Sequence, residues 1–380
     1  MNEGVALRVL GTVMQWDDDR AQNEFWWLSL MSRLKYDGYS DFLAGVRFLE
    51  SLAAWLQQFR HVAEREIAYG FVRKVLLYVG PSEMLRLVEL LFPVEVQPRL
   101  MRTVARAYGV PTHRVWAQRE TAAAYDRAVR RTLFIGLSEG ARLDQFRRAN
   151  SGIVKNDQVL LATYVEPDRF DALLGDLRDE QKDSTARFET IYLIDDFTGS
   201  GSSCLRSENG AWKGKLKKFY DTIERKLSTH FSPTLEVCVH HYIASEAARL
   251  ALAQGESRVR SERGADWFGE VQFSYGLALL EDVAVDRSPL SEARAFADLA
   301  KTYFDAEDPV FANNAHLDVG GTRDIPLGFA NNGLPLVLEH NTPNNTVTVI
   351  WAETAGRSGS DGEAARPPMR PLFRRRQRHS

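Results

Sequence analysis

The segment that most constrains this chain is Ile191-Tyr192-Leu193-Ile194-Asp195-Asp196-Phe197-Thr198-Gly199-Ser200-Gly201-Ser202-Ser203. The apolar run 191–194 reads as a buried strand. Two acids stand at its carboxyl end, and a loop of glycine and serine follows, leading into an expected helix. In open α/β sheets, ligands bind just beyond the carboxyl ends of the strands.

The residue types ask for a particular ligand. A ribose presents two neighbouring hydroxyls, and adjacent carboxylates such as Asp195 and Asp196 can accept a hydrogen bond from each. A phosphate needs several donors at once, and backbone N–H groups at a helix start supply them. Gly199 and Gly201 lack a Cβ, so the backbone can wrap closely around such a group. Ser200, Ser202 and Ser203 add hydroxyls. The alternatives are a plain linker, or an acid pair that caps a helix or binds a metal. A linker would not need a buried strand and two acids before it. A nucleotide loop of the Walker type needs a Lys before its final Ser or Thr, and this loop has none. A dinucleotide loop would need a Gly-rich turn after the first strand, and residues 136–140 fit GxGxxG poorly.

The sheet pattern extends on both sides. Apolar runs at 132–137, 158–164, 190–194, 235–244 and 271–280 alternate with helix-like stretches such as 212–229 and 245–253. Continuous apolar runs separated by helices predict a mostly parallel sheet covered on both faces. After the first run comes Gly136-Leu137-Ser138-Glu139-Gly140-Ala141-Arg142. Ser138, the acidic Glu139, the backbone of Gly140 and Ala141, and the cationic Arg142 could form a second anion-binding turn. An ordinary strand-to-helix turn with surface arginines is the other reading. Near the end, 334–338 and 346–351 read as strands, and His340, Asn341, Asn344 and Asn345 lie between them. Asparagine amides both donate and accept, so this cluster could read a base; Asn and Pro also make ordinary turns.

Residues 23–130 carry helical periodicity instead, with Trp26, Trp27, Leu30 and Leu34, then Phe42, Leu43, Val46, Leu49, Leu52 and Leu56, as apolar core faces. Ser40 is an expected N-cap, and Phe92-Pro93 an expected break. The predicted division is a helical domain over 1–130, winged-helix-like in one version, an α/β domain over 131–355 and a flexible basic tail over 356–380. Residues 99–106 could serve as a DNA-recognition helix, but the bases of this half are balanced by Glu64, Glu66, Glu83 and Glu89, which favours packing against a protein partner.

The motif at 191–203 resembles the PRPP-binding motif of the type I phosphoribosyltransferases: an apolar strand, two acids, a short variable stretch, then Thr-Gly-x-Thr. Asp195 and Asp196 match the acids, and Ser200, Gly201, Ser202 and Ser203 match the phosphate part, with serines for both threonines. The whole arrangement resembles a phosphoribosyltransferase-like family of bacterial conflict and anti-phage systems, whose members carry a segment like Gly333-Leu334-Pro335 through Glu339-His340-Asn341-Thr342-Pro343-Asn344-Asn345. The resemblance implies a type I phosphoribosyltransferase-like, Rossmann-like fold. It implies Asp195 and Asp196 as catalytic, residues 195–203 (with Phe197, Thr198 and Gly199) around the ribose 5-phosphate, and residues 138–142 on pyrophosphate. It further implies Mg²⁺ at Asp195 and PRPP or a nucleotide as ligand. An enzyme acting at ribose C1 and a non-catalytic sensor are both compatible with it.

The net charge of -3 gives no global electrostatic reason to expect nucleic acid or membrane binding. Cys204 and Cys238 form no CxxC pair, and no apolar run reaches membrane-spanning length. With no secretory pattern at residues 1–16, a cytoplasmic location is expected; self-association is left open.

Overall fold

The computed structural model describes residues 3–42, 47–162, 167–357 and 368–375. The strands, in chain order, are β1 (Leu77–Val79), β2 (Thr132–Gly136), β3 (Val159–Leu161), β4 (Phe188–Thr198), β5 (Arg206–Glu208), β6 (Ala211–Lys213), β7 (Phe231–Ser245), β8 (Val271–Leu279) and β9 (Leu336–Leu338). The chain separates into two compact units, one made of Met1–Met84 with Leu280–Ser380, the other of Leu85–Leu279. This division differs from the expected boundaries at 130 and 355. The reason is packing: the apolar faces of the early helices are completed by residues from the last hundred.

In the discontinuous unit, β1 pairs in parallel with β9, Leu77 opposite Leu336. The helix Phe48–Gln57 buries Phe48, Leu52, Trp55 and Leu56. Trp55 donates its indole N–H to the carbonyl of Val349 at 2.8 Å, and Phe71 stacks on Phe296 with centroids 3.9 Å apart. The expected tail does not behave as one throughout. Met369, Leu372 and Phe373 are buried, and Phe373 stacks on Phe48. These apolar residues belong to the core, whatever the charge around them; residues 358–367 and 376–380 of that segment lie outside the described residues.

Other local expectations change as well. The helix Asp18–Leu34 is capped by Asp17, which accepts from the Arg20 amide at 2.8 Å. It buries Leu28 and Ser32, so Trp26 (71% exposed) and Leu34 (72% exposed) face outward rather than forming the core. Apolar residues occupy more than one side of this helix, and periodicity alone picks the wrong side. Ser40 caps no helix; its amide and hydroxyl both donate to the Glu339 carbonyl, each at 2.8 Å. The next helix starts at Phe48, and Leu43 and Val46 lie outside the described residues. The stretch 346–351 is not a strand: Thr348–Trp351 forms one helical turn.

The continuous unit holds a five-stranded sheet in the order β3-β2-β4-β7-β8, every neighbouring pair parallel. Its inner strands are buried on both faces, as Leu133, Phe134, Ile135 and Ile191 through Ile194 show. Pro93 does not end the helical run. The chain passes from the helix Pro81–Leu90 through a wider π-helical stretch, Leu91–Val96, into Gln97–Tyr108, and a π-turn tolerates a residue without an N–H. The helix Gln97–Tyr108 packs within this unit, with Arg99 donating to Gln272 and lying 3.6 Å from Glu236. Among the described residues, no helix is long and apolar enough to cross a membrane.

Candidate functional site

The sheet order fixes where a ligand can sit. From β2 the chain moves outward to β3, then returns past β2 to form β4, and continues away through β7 and β8. The direction reverses between β2 and β4, the kind of switch point beside which open α/β sheets bind ligands. The loops leaving the carboxyl ends of these two strands are residues 137–142 and 199–205.

β4 is longer than its apolar run. It continues through Thr198 because β7 accompanies it, with Asp195 opposite His241 and Thr198 opposite Ala244. Asp195 and Asp196 therefore sit within the ladder, and alternation sends their side chains to opposite faces. Both are buried, at 2% and 6% exposure. Each acid meets the loop after β2. Ser138 donates its hydroxyl to Asp195 Oδ1. Gly140 lies against Asp196, where a Cβ would fall 2.6 Å from the carboxylate carbon. Tyr242 of β7 donates to the Ala141 carbonyl at 2.9 Å and holds the loop in place. Arg142 takes a left-handed φ of 51° at the loop's end. Burial pulls its guanidinium below the ordinary range, and the charge of Asp196 resists that fall. The acids and the loop 138–142, read separately from the sequence, are thus one site.

The loop after β4 is built as a tight turn. Gly201 has a φ of +75°, a region that L side chains rarely adopt, and its carbonyl accepts from the amides of Cys204 and Leu205, each at 3.0 Å. The Ser200 and Ser202 hydroxyls lie 2.8 Å apart. Ser245, the N-cap of the helix Glu246–Arg263, donates its hydroxyl to the Gly199 carbonyl at 2.5 Å and accepts from the Ala248 amide at 3.1 Å. The expected helix after Ser203 is absent. The hairpin β5–β6 comes first, and the helix Lys215–Ile223 follows it. The hairpin returns the chain to the loop: the Lys215 amide donates to the Ser203 carbonyl at 3.0 Å, and the Leu216 amide to Cys204 at 3.0 Å. The hydrogen-bonding groups this turn can offer are the loop's own amides and hydroxyls rather than a helix start at Ser203.

That return places a residue the sequence reading missed. The Lys215 ammonium forms an ion pair with Asp195 Oδ2. Burial pushes the Asp195 carboxyl above its usual range, and Lys215 pulls in the opposite direction. A buried carboxylate needs a cation or hydrogen-bond donors, so a basic residue returning from the next turn was the signal to seek. His241 was missed too. Burial depresses its pKa to about 3, its Nδ1 has no hydrogen-bond partner among the described residues, and it stands beside Asp195 in register. The buried Thr198 hydroxyl is likewise without a partner among the described residues.

Asp195 does not fit the role of a metal ligand in this arrangement. Its Oδ1 takes the Ser138 hydroxyl and the Asp196 amide at 3.2 Å, and its Oδ2 takes the Lys215 ammonium. A divalent ion would have to displace that ammonium.

The residues expected to read a base belong to the other unit. The Asn345 side chain donates to the Phe329 carbonyl at 3.2 Å, the Asn344 carbonyl accepts from the Phe329 amide at 2.6 Å, and the Asn341 amide closes a turn onto Leu338 at 3.0 Å. His340 lies 3.3 Å from Glu339. These contacts give the segment work in holding its own turns.

A parallel sheet with an acid pair and a Gly/Ser loop at its switch point defines a phosphoribosyltransferase-like protein. The PRTase-CE family model matches residues 52–375, and the chain belongs to this phosphoribosyltransferase-like family. No curated protein and no solved structure matches it.

Proposed function

We propose that the α/β unit binds a phosphorylated pentose, PRPP or a nucleotide, at the β2/β4 crevice. The observation that carries this reading is the loop 138–142 closing on Asp195 and Asp196, with the Gly/Ser loop that follows the same strand tied to Asp195 through Lys215. The acids accept the ribose hydroxyls, the loop 199–203 donates to the 5′-phosphate, and the loop 138–142 with Arg142 faces the pyrophosphate. Displacement at C1 builds positive charge on the ring, which neighbouring carboxylates stabilise. Mg²⁺ would be held by the ligand's pyrophosphate rather than by Asp195 and would neutralise the charge of the leaving group. Family resemblance supports a place in bacterial anti-phage defence.

A sensor that binds without turnover is the second reading. It is favoured by one observation: Asp195 is already engaged by Ser138 and Lys215. Isothermal titration with PRPP, followed by a pyrophosphate-release assay, tests both. Binding with release lost in Asp195→Asn supports the enzyme, and binding without release supports the sensor. Absence of binding sinks the shared reading.

A further inference from the structure

The crevice contains a cation that belongs to the chain. Lys215 is fixed at both ends: its amide is bonded to Ser203 at the end of the phosphate loop, and its ammonium to Asp195. Gly214 makes this return possible. Its φ of +114° and its approach to Cys204, whose carbonyl carbon would lie 2.7 Å from an added Cβ, leave room for no other side chain. The lysine is about one quarter exposed at its side chain (28%) against 2% for its partner, so it forms the outer wall over the acid. A cation on an elastic four-carbon stem can stay with Asp195 or turn toward an arriving phosphate without leaving the site.

We propose that Lys215 is a ligand-binding residue of the pentose-phosphate site and stands where a divalent ion would otherwise meet Asp195. Capture of the ribose 5-phosphate half is therefore independent of Mg²⁺. The assignment to a sugar phosphate rests on the proposed function; the exclusion of metal from Asp195 rests on the ion pair alone.

Two measurements on the full chain test the two parts separately. Titration calorimetry with ribose 5-phosphate compares EDTA with excess MgCl₂. The wild type is expected to bind alike in both, and Lys215→Met to bind about tenfold or more weakly in EDTA, the loss of one charge-assisted hydrogen bond; Lys215→Arg retains most of the affinity. Electron paramagnetic resonance with Mn²⁺, without sugar, is expected to show a bound ion in Lys215→Met that Asp195→Asn abolishes, and none at this carboxylate in the wild type. A wild type that needs Mg²⁺ for ribose 5-phosphate, or a folded Lys215→Met that binds as the wild type in EDTA, overturns the assignment. So does Mn²⁺ bound in the wild type and lost in Asp195→Asn. If Lys215→Met does not fold, the wild-type measurements decide. A wild type that binds no ribose 5-phosphate in either buffer sinks the sugar-phosphate reading, and the Mn²⁺ result still decides whether Lys215 keeps metal from Asp195.

Discussion

Gly140 approaches Asp196 so closely that one methyl group at its Cα would sit 2.6 Å from the carboxylate carbon. Gly140→Ala must therefore move either the loop 138–142 or the acid. The expected cost is about 1–3 kcal/mol of stability, the range for overpacking a fitted site, with weaker PRPP binding. Thermal unfolding with and without PRPP measures both effects.

Asp195→Asn separates stability from function. Burial holds the folded-state carboxyl above its ordinary pKa, so the charged form weighs against folding at neutral pH and this burden lightens as pH falls. Replacing it with a neutral amide is expected to leave the melting temperature equal or higher, because the partly exposed Lys215 can turn to water. Ligand affinity is expected to fall by about 10- to 100-fold. Melting curves and calorimetry on the same sample check the opposite signs.

Acid should loosen the α/β unit through its histidines. Burial depresses the pKa values of His240 and His241 from the ordinary 6.5 to about 3. The unfolded chain binds these protons first, so stability is whole above about pH 6.5 and falls as pH drops toward 3. The slope is up to ~1.4 kcal/mol per pH unit for each histidine. Urea unfolding at several pH values reads it, and His240→Asn should remove roughly one proton from the dependence.

The buried C-terminal segment gives a fourth expectation. Phe373→Ala should cost about 3–5 kcal/mol, as for other fully buried aromatics, measured by denaturant unfolding. A change near zero would mean that this stretch does not pack on Phe48.

The strand-acid-loop segment and the alternation around it made the parallel sheet readable, because a doubly covered strand needs an unbroken apolar run. β2, β4, β7 and β8 fall where 132–137, 190–194, 235–244 and 271–280 pointed. The motif at 195–203 pointed to a loop at a strand end for the same reason. What was not readable depended on contacts distant in sequence. The hairpin before Lys215 has no apolar period of its own, since Arg206, Glu208, Lys213 and their neighbours are polar. Lys215 became visible only when the chain returned to Ser203. Asn345 reads equally as a ligand group or a turn residue, because an amide looks the same in both; its bond to the Phe329 carbonyl, which adds the turn role, is a contact that sequence does not show.

The interruption of one unit by the other imposes an order on synthesis. Residues 85–279 form a complete unit by themselves, so all of its strands have been synthesised before the closing segment from Leu280 onward is added. Trp55, Phe48 and Phe71 must wait for Val349, Phe373 and Phe296. Until then the early helices expose aromatic faces with no cover, which makes the newborn N-terminal segment a natural client for a chaperone during translation.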